Sequence, residues 1–371
     1  MAVLQGFVGS SNRARSLTVN AERTLNWFEA AADGTPKAPR WLCPRPGLRP
    51  WTILSAGPVR ALFPLNGRAW AVGGNTLYEV FANNNISAYA PTLLADGRNA
   101  SIAANGQGGI AGNQLAITSG GHVYNLDLAT NTLTDVGVDF PAGMVACVGG
   151  YMVANVRNTN IFRRSDFEDN TVWNALNFSQ IQDSSDLIQS VYNIHGLLGI
   201  NGSQTSQVWA NTGATNVFEP IQGSLMQQGA ASEFSFAVVD NSAFWLSQND
   251  IGTGIVLKGA GPGGGAQRIS DYAVESALAQ AATLTDTIGW AYQQEGHPFY
   301  GLYVPSMDTT WCYDIGLNVW HERSHWDPVF ERDRPFRARC AMFAFGRNLV
   351  GDPLSGALYE QSFDFATDWL V

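Results

Sequence analysis

The 371-residue sequence predicts an all-β chain, a β-propeller of about seven four-stranded blades with an extended N-terminal arm and one short inserted helix. Three observations carry that prediction. First, seven segments share one pattern: a β-rich strand, a polar or Gly-rich turn, then a strand centred on an apolar or aromatic residue. Landmarks Tyr78, Tyr124, Phe162, Trp209, Val256, Tyr313 and Tyr359 fall 46, 38, 47, 47, 57 and 46 residues apart. Second, each unit has an apolar strand upstream, such as "PVRALFPL" or "GMVACVGG", and most have a further strand downstream, giving four strands per unit. Third, Gly, Asn and Asp punctuate the strands where hairpins must turn. The upstream strands are expected to be the innermost and most apolar, covered on both faces around the central axis.

Taken in order, residues 1–57 lie outside the repeat and form the predicted arm; residues 58–371 form the propeller. The arm is rich in Pro and Arg over "PKAPRWLCPRPGLRPW" (36–51), which predicts extended chain rather than sheet or helix because proline fixes φ and removes donors. With no core of its own, the arm must lie on another surface, either its own propeller or a neighbouring subunit. Deleting residues 1–50 is therefore expected to leave a folded monomer that no longer joins its neighbours. The long 57-residue spacing has a local cause. "SDYAVESALAQAATLTD" (270–286) opens on a Ser or Asp cap and continues with helix formers, apolar at Val274, Leu278 and Ala281, which predicts a short helix between the fifth and sixth blades. Little chain follows Tyr359, so the last blade is expected to borrow a strand from "WTIL" (51–54); six blades plus an irregular module is the alternative.

Charge is sparse, 14 % of residues, and the formal net charge is −10. Residues 1–60 hold eight basic positions against three acidic ones, near +5, which leaves the rest near −15. An acidic body argues against gripping nucleic acid through phosphates, while a basic arm is a docking cue. Arg13, Arg15, Arg23, Trp27, Arg40, Trp41 and Arg45 are the arm's candidate interface residues. A second candidate run, "ERDRPFRARC" (331–340), supplies Arg332, Arg334 and Arg337, expected to decorate an interblade loop or to pair with acids of a neighbouring subunit. No apolar run approaches the length of a membrane span, so membrane insertion is not expected. The opening "MAVLQGFVGSSNRARS" lacks the charged start and apolar stretch of a secretory signal.

Chemistry-bearing motifs are scarce. G-x-S-x-G, H-E-x-x-H and the P-loop pattern are absent, so no enzyme activity and no cofactor are expected. The run "GAGPGGGAQ" (259–267) reads as a hairpin tip, having no Lys for a phosphate cradle. His321 and His325 in "WHERSHWD" stand about 13 Å apart on one strand; solvent-facing residues at a blade edge is the expectation, and no metal site is expected. The four cysteines are scattered, without a C-x-x-C pair, and read as reduced and structural. An alternative reading, a glycan-binding or glycan-cleaving propeller, requires an aromatic-and-carboxylate pocket at one end of the axis.

Two stretches carry a family resemblance. Glu22, Arg23, Asn26 and Phe28, followed by Pro46, Gly47 and Leu48, resemble the Gln/Glu-Arg-x-x-N-x-(Tyr/Phe) pattern and "PGL" turn of the packaged-DNA-stabilisation proteins, the tail hubs or nozzles of short-tailed bacteriophages. Residues 212–261, with a "TGA" turn, a "QGSLMQQGAA" run and an "AFWLS" strand in that order, look like the family's central segment, and the helix at 271–282 falls where the family has one. The resemblance implies a structural virion protein made in the bacterial host's cytoplasm. It implies a ring of copies, a hexamer in known cases, joining the portal-side adaptor to a distal needle, spike or fibre. Such a ring retains packaged double-stranded DNA and conducts it without sequence-specific contact. The negative body suits a low-friction lining, and the near-absence of Lys, only Lys37 and Lys258, suits a surface covered by other subunits.

Overall fold

The structure is a computed structural model that describes residues 10–13, 21–31, 40–54, 57–106, 113–182, 186–214, 216–249, 251–259 and 265–371. Seven antiparallel sheets succeed one another along the chain. The first runs Val59–Leu65, Arg68–Gly73, Thr76–Val80 and Ile86–Ala88 in simple up-and-down order. Blades 2 to 6 follow at 101–135, 142–180, 188–220, 237–268 and 288–335. Blade 7 closes the ring with Cys340–Ala344, Arg347–Gly351 and Ala357–Ser362, and its outer strand is Gly47–Ile53, paired from Ala357↔Ile53 to Ser362↔Gly47. The blade count is thus seven.

The turn between the first two strands of a blade is the most regular piece of the repeat. Asn66-Gly67, His195-Gly196, Glu295-Gly296 and Phe345-Gly346 each put two consecutive residues at positive φ. That geometry matches the right-handed twist of the flanking strands and joins them in two residues. Burial does not peak on the innermost strands as expected. Val59–Leu65 is buried over its first three residues and half-buried or exposed over its last four, whereas Arg68–Gly73, Gln114–Ser119 and Ser242–Gln248 are buried almost throughout. The second strand of each blade has a neighbour along both edges and a blade on both faces; the innermost strand has one edge on the axial opening.

Between blades 5 and 6, Tyr272–Leu278 forms one helix capped by Asp271, whose carboxylate accepts from the Val274 amide at 2.9 Å. Val274 and Leu278 face a core built around Phe244, Tyr300, Trp311 and Trp320.

The N-terminal region departs most from expectation. Trp27–Ala31 and Arg40–Pro44 pair as a hairpin, Trp27 opposite Pro44, so the Pro-rich stretch does enter a sheet. This is possible because Pro44 ends its strand and the hairpin is a two-stranded edge needing few donors. Phe28 is 3 % exposed and meets Phe299 edge-on at 5.3 Å, in the core shared by blades 6 and 7. Upstream, the Ser11 and Asn26 amides donate to the carbonyls of Trp320 and Glu322, each at 2.8 Å, and the Glu322 amide donates to Thr24 at 2.9 Å. The described part of the arm therefore lies on its own propeller, along the outer edge of blade 6. Arm residues 47–53 belong to the propeller itself, and Leu48 is fully buried. Removing residues 1–50 would strip blade 7 of its outer strand and blades 6 and 7 of Phe28, so a folded remainder is not expected.

Candidate docking surface

Most of the sequence-selected arginines are already paired within the chain. Arg23 reaches Glu322 at 2.7 Å, and that hydrogen bond raises its pKa above the ordinary value against the opposing effect of burial. Arg40 pairs with Glu29 at 2.5 Å. Arg45 makes the most elaborate set of contacts: a two-point pair with Asp368 at 2.5 and 2.8 Å, a bond to the Ser324 carbonyl at 2.9 Å, and its guanidinium 4.7 Å over the Phe336 ring. Arg332 and Arg334 share Asp308 at 3.2 and 3.0 Å, and Arg337 holds the fully buried Asp352 at 2.6 Å. Arg13 lies in the short strand Asn12–Arg13, and Arg15 falls outside the described residues.

These pairs converge on the seam of blades 6 and 7 and on the C-terminal tail. The partners come from this chain, so Arg332, Arg334 and Arg337 have acids to pair with without those of a neighbour. What the hairpin still offers outward is Trp27, 46 % exposed, at the end paired with Pro44, and Trp41, 42 % exposed, next to Arg40 at the other end. Sequence reasoning missed the other open apolar edge, on blade 3, where Phe167, Leu176 and Phe178 are exposed. Single apolar residues in turn-rich sequence carry no signal of which way they face.

The two histidines are buried rather than solvent-facing. His321 lies beneath the N-terminal hairpin, 6.0 Å from the Phe28 ring, and burial first, Arg323 second, hold its pKa well below 6.5. His325 donates from Nδ1 to the Pro335 carbonyl at 2.6 Å. Strand Val319–Asp327 is covered on its edge by the N-terminus, which the sequence could not show. Among the described residues no three His, Cys, Asp or Glu groups gather as a metal site, and no helix is long and apolar enough to cross a membrane. Of the Gly-rich run 259–267, residues 260–264 lie outside the described residues.

One end of the propeller axis holds a cavity of about 750 Å³, lined among others by Asp96, Arg98, Glu233, Asp286, Tyr303 and Arg339. Arg157 pairs with Asp96 at 2.5 Å and Arg98 with Glu233 at 2.9 Å. Burial opposes charge on both acids. At Asp96 burial is the largest single effect, but the hydrogen bond and charge of Arg157 together with the Arg98 amide and guanidinium outweigh it and the pKa falls, while at Glu233 burial prevails and the pKa rises.

Comparison with known proteins gives three findings. The model of one family, described as phage stabilisation, bacteriophage P22 Gp10, β-propeller, matches residues 29–366. No curated protein sequence matches. Among solved structures, the extracellular domain of the hybrid two-component system BT4673 of B. thetaiotaomicron is similar at 8 % identity and a TM-score of 0.55, over 85 % of this chain and 40 % of that one. PorZ, a surface component of the type-IX secretion system of Porphyromonas gingivalis, is similar at 11 % identity and a TM-score of 0.49, over 84 % and 38 %. The chain spans about two-fifths of the length of both, and at these identities the likeness to the first shows the fold alone.

Proposed function

Because this chain belongs to the phage-stabilisation family of bacteriophage P22 Gp10, β-propeller tail proteins with a structural role in the virion, we propose that it is the hub or nozzle of a short phage tail. In this reading several copies, six by analogy, form a ring between the portal-side adaptor and a distal needle, spike or fibre. The ring retains packaged double-stranded DNA and conducts it at ejection. The chain is made in the host bacterial cytoplasm and acts without catalysis.

The observation that carries the reading is the family match across residues 29–366. The axial cavity supports the ring, since about 750 Å³ is the size of a small-molecule site. A duplex cannot thread one propeller, so the conduit has to form between copies. The net charge of −10 keeps such a conduit from gripping phosphates. With Arg23 and Arg45 neutralised in place, docking to the adaptor falls to the outward Trp27 and Trp41 of the hairpin, with the exposed Arg40.

Negative-stain imaging of the purified protein, alone and with the neighbouring tail proteins, tests this. Rings with a central channel are expected, and Trp41→Ala should weaken adaptor capture while the fold persists. Monomers that never join the tail proteins would sink the proposal.

A further inference from the structure

We infer that the axial cavity is a binding site for an acidic saccharide, a sugar ring bearing a carboxylate. The inference rests on the cavity's own side chains and does not depend on the tail-hub reading.

Segments spread around the ring line this cavity, from Asp96–Asn99 after blade 1 to Pro353 in blade 7, with none from blade 2 itself. Arg339 is 8 % exposed and lines the cavity, yet it forms no ion pair among the described residues. Its Nε donates to the Asn99 side chain, and one Nη lies a long 3.5 Å from the Gly97 carbonyl. Burial depresses its pKa, the mark of a charge held without its counterion. Arg60, 2 % exposed, sits behind the same loop, donates only to the Gly74 and Arg98 carbonyls and the Ser119 hydroxyl, and adds to the positive field. Of the acids lining the cavity, Asp96 is taken by Arg157 and Glu233 by Arg98, while Asp286 forms no ion pair among the described residues and none of the three pairs with Arg339. A nearly buried guanidinium with an unfilled fork is built to take a carboxylate at two points.

The rest of the wall selects a sugar over a bare anion. Phe234 and Tyr303 supply aromatic surface. Asp286 accepts from the Ser306 amide through one oxygen at 2.8 Å and leaves the other unpartnered. Thr287, fully buried on the cavity wall, has a hydroxyl without a partner. Donors and acceptors set beside aromatic surface suit a ring of hydroxyls, each able to give and to receive.

Titration calorimetry on the full chain with D-glucuronate, D-glucose and inorganic phosphate tests the site. Glucuronate should bind, glucose at least about tenfold more weakly, and phosphate more weakly still. Arg339→Gln should weaken glucuronate about a hundredfold. Should that variant misfold, Tyr303→Ala provides a milder probe and should weaken binding about tenfold while the melting curve stays cooperative. No heat with millimolar glucuronate, glucose binding equal to glucuronate, or phosphate binding as tightly as glucuronate would each overturn the assignment.

Discussion

Blade 3 is a four-stranded sheet and blade 6 a five-stranded one, and their outer edges are finished in opposite ways. On blade 6 the chain's own N-terminus runs along strand Val319–Asp327, adds backbone hydrogen bonds at Trp320 and Glu322, and drives Phe28 into the seam with blade 7. On blade 3 the outer strand Phe178–Gln180 is short and bare, and Leu176 beside it is 82 % exposed. The difference shows that a basic, proline-rich segment need not be a free tether. Here its arginines meet acids of the same chain, and its aromatic residue completes a core that blades 6 and 7 leave open. A bare edge on the far side remains accessible to another molecule.

The contrast can be broken most severely by truncation. Deleting residues 1–50 removes the outer strand of blade 7 together with Phe28, and is expected to abolish cooperative unfolding in calorimetry, while any internal change on the blade 3 edge leaves it intact. Next in size, Phe28→Ala should cost about 3–5 kcal/mol in urea denaturation, as expected for an aromatic removed from a closed core. A smaller loss, about 3 kcal/mol, is expected for Asp368→Asn. Both side chains of the Arg45–Asp368 pair are only 11 % exposed, so the substitution strands a largely buried guanidinium.

Acid should act on the same seam. The folded protein holds His321 neutral, with its pKa well below 6.5, whereas the unfolded chain takes up a proton near 6.5. Its contribution is therefore complete above pH 6.5 and declines as the pH falls below it, at about 1.4 kcal/mol per pH unit. Urea melts at pH 7 and pH 5 should differ by about 2 kcal/mol more in the native protein than in His321→Gln. Equal differences would show that this histidine is not the acid-sensitive group. Smallest of all, Leu176→Ser on the bare edge should shift stability by less than about 0.5 kcal/mol. A larger loss would mean that blade 3's edge is packed after all.

The propeller was legible because hairpin chemistry repeats locally. Asn66-Gly67 and Glu295-Gly296 announce their turns, Asp271 announces its helix, and the shortage of chain after Tyr359 points to closure by a strand near residue 51. The arginine candidates were legible as charges but not as contacts. Nothing near Arg45 in the sequence names Asp368, 323 residues away, and nothing near Arg23 names Glu322. The axial cavity was equally hidden, since Arg98, Glu233 and Arg339 are spread over most of the chain and meet only when the ring closes.

The sequence by itself determined the repeat unit, its turns, the inserted helix and the acidic balance, because these depend on residues within a few positions of one another. Tertiary structure alone decided that the N-terminus becomes part of the ring, that His321 is sealed and neutral, and that Arg339 is left without a counterion. Closing a circle of seven sheets brings distant segments into contact, and burial and charge pairing are properties of those contacts rather than of any stretch of chain.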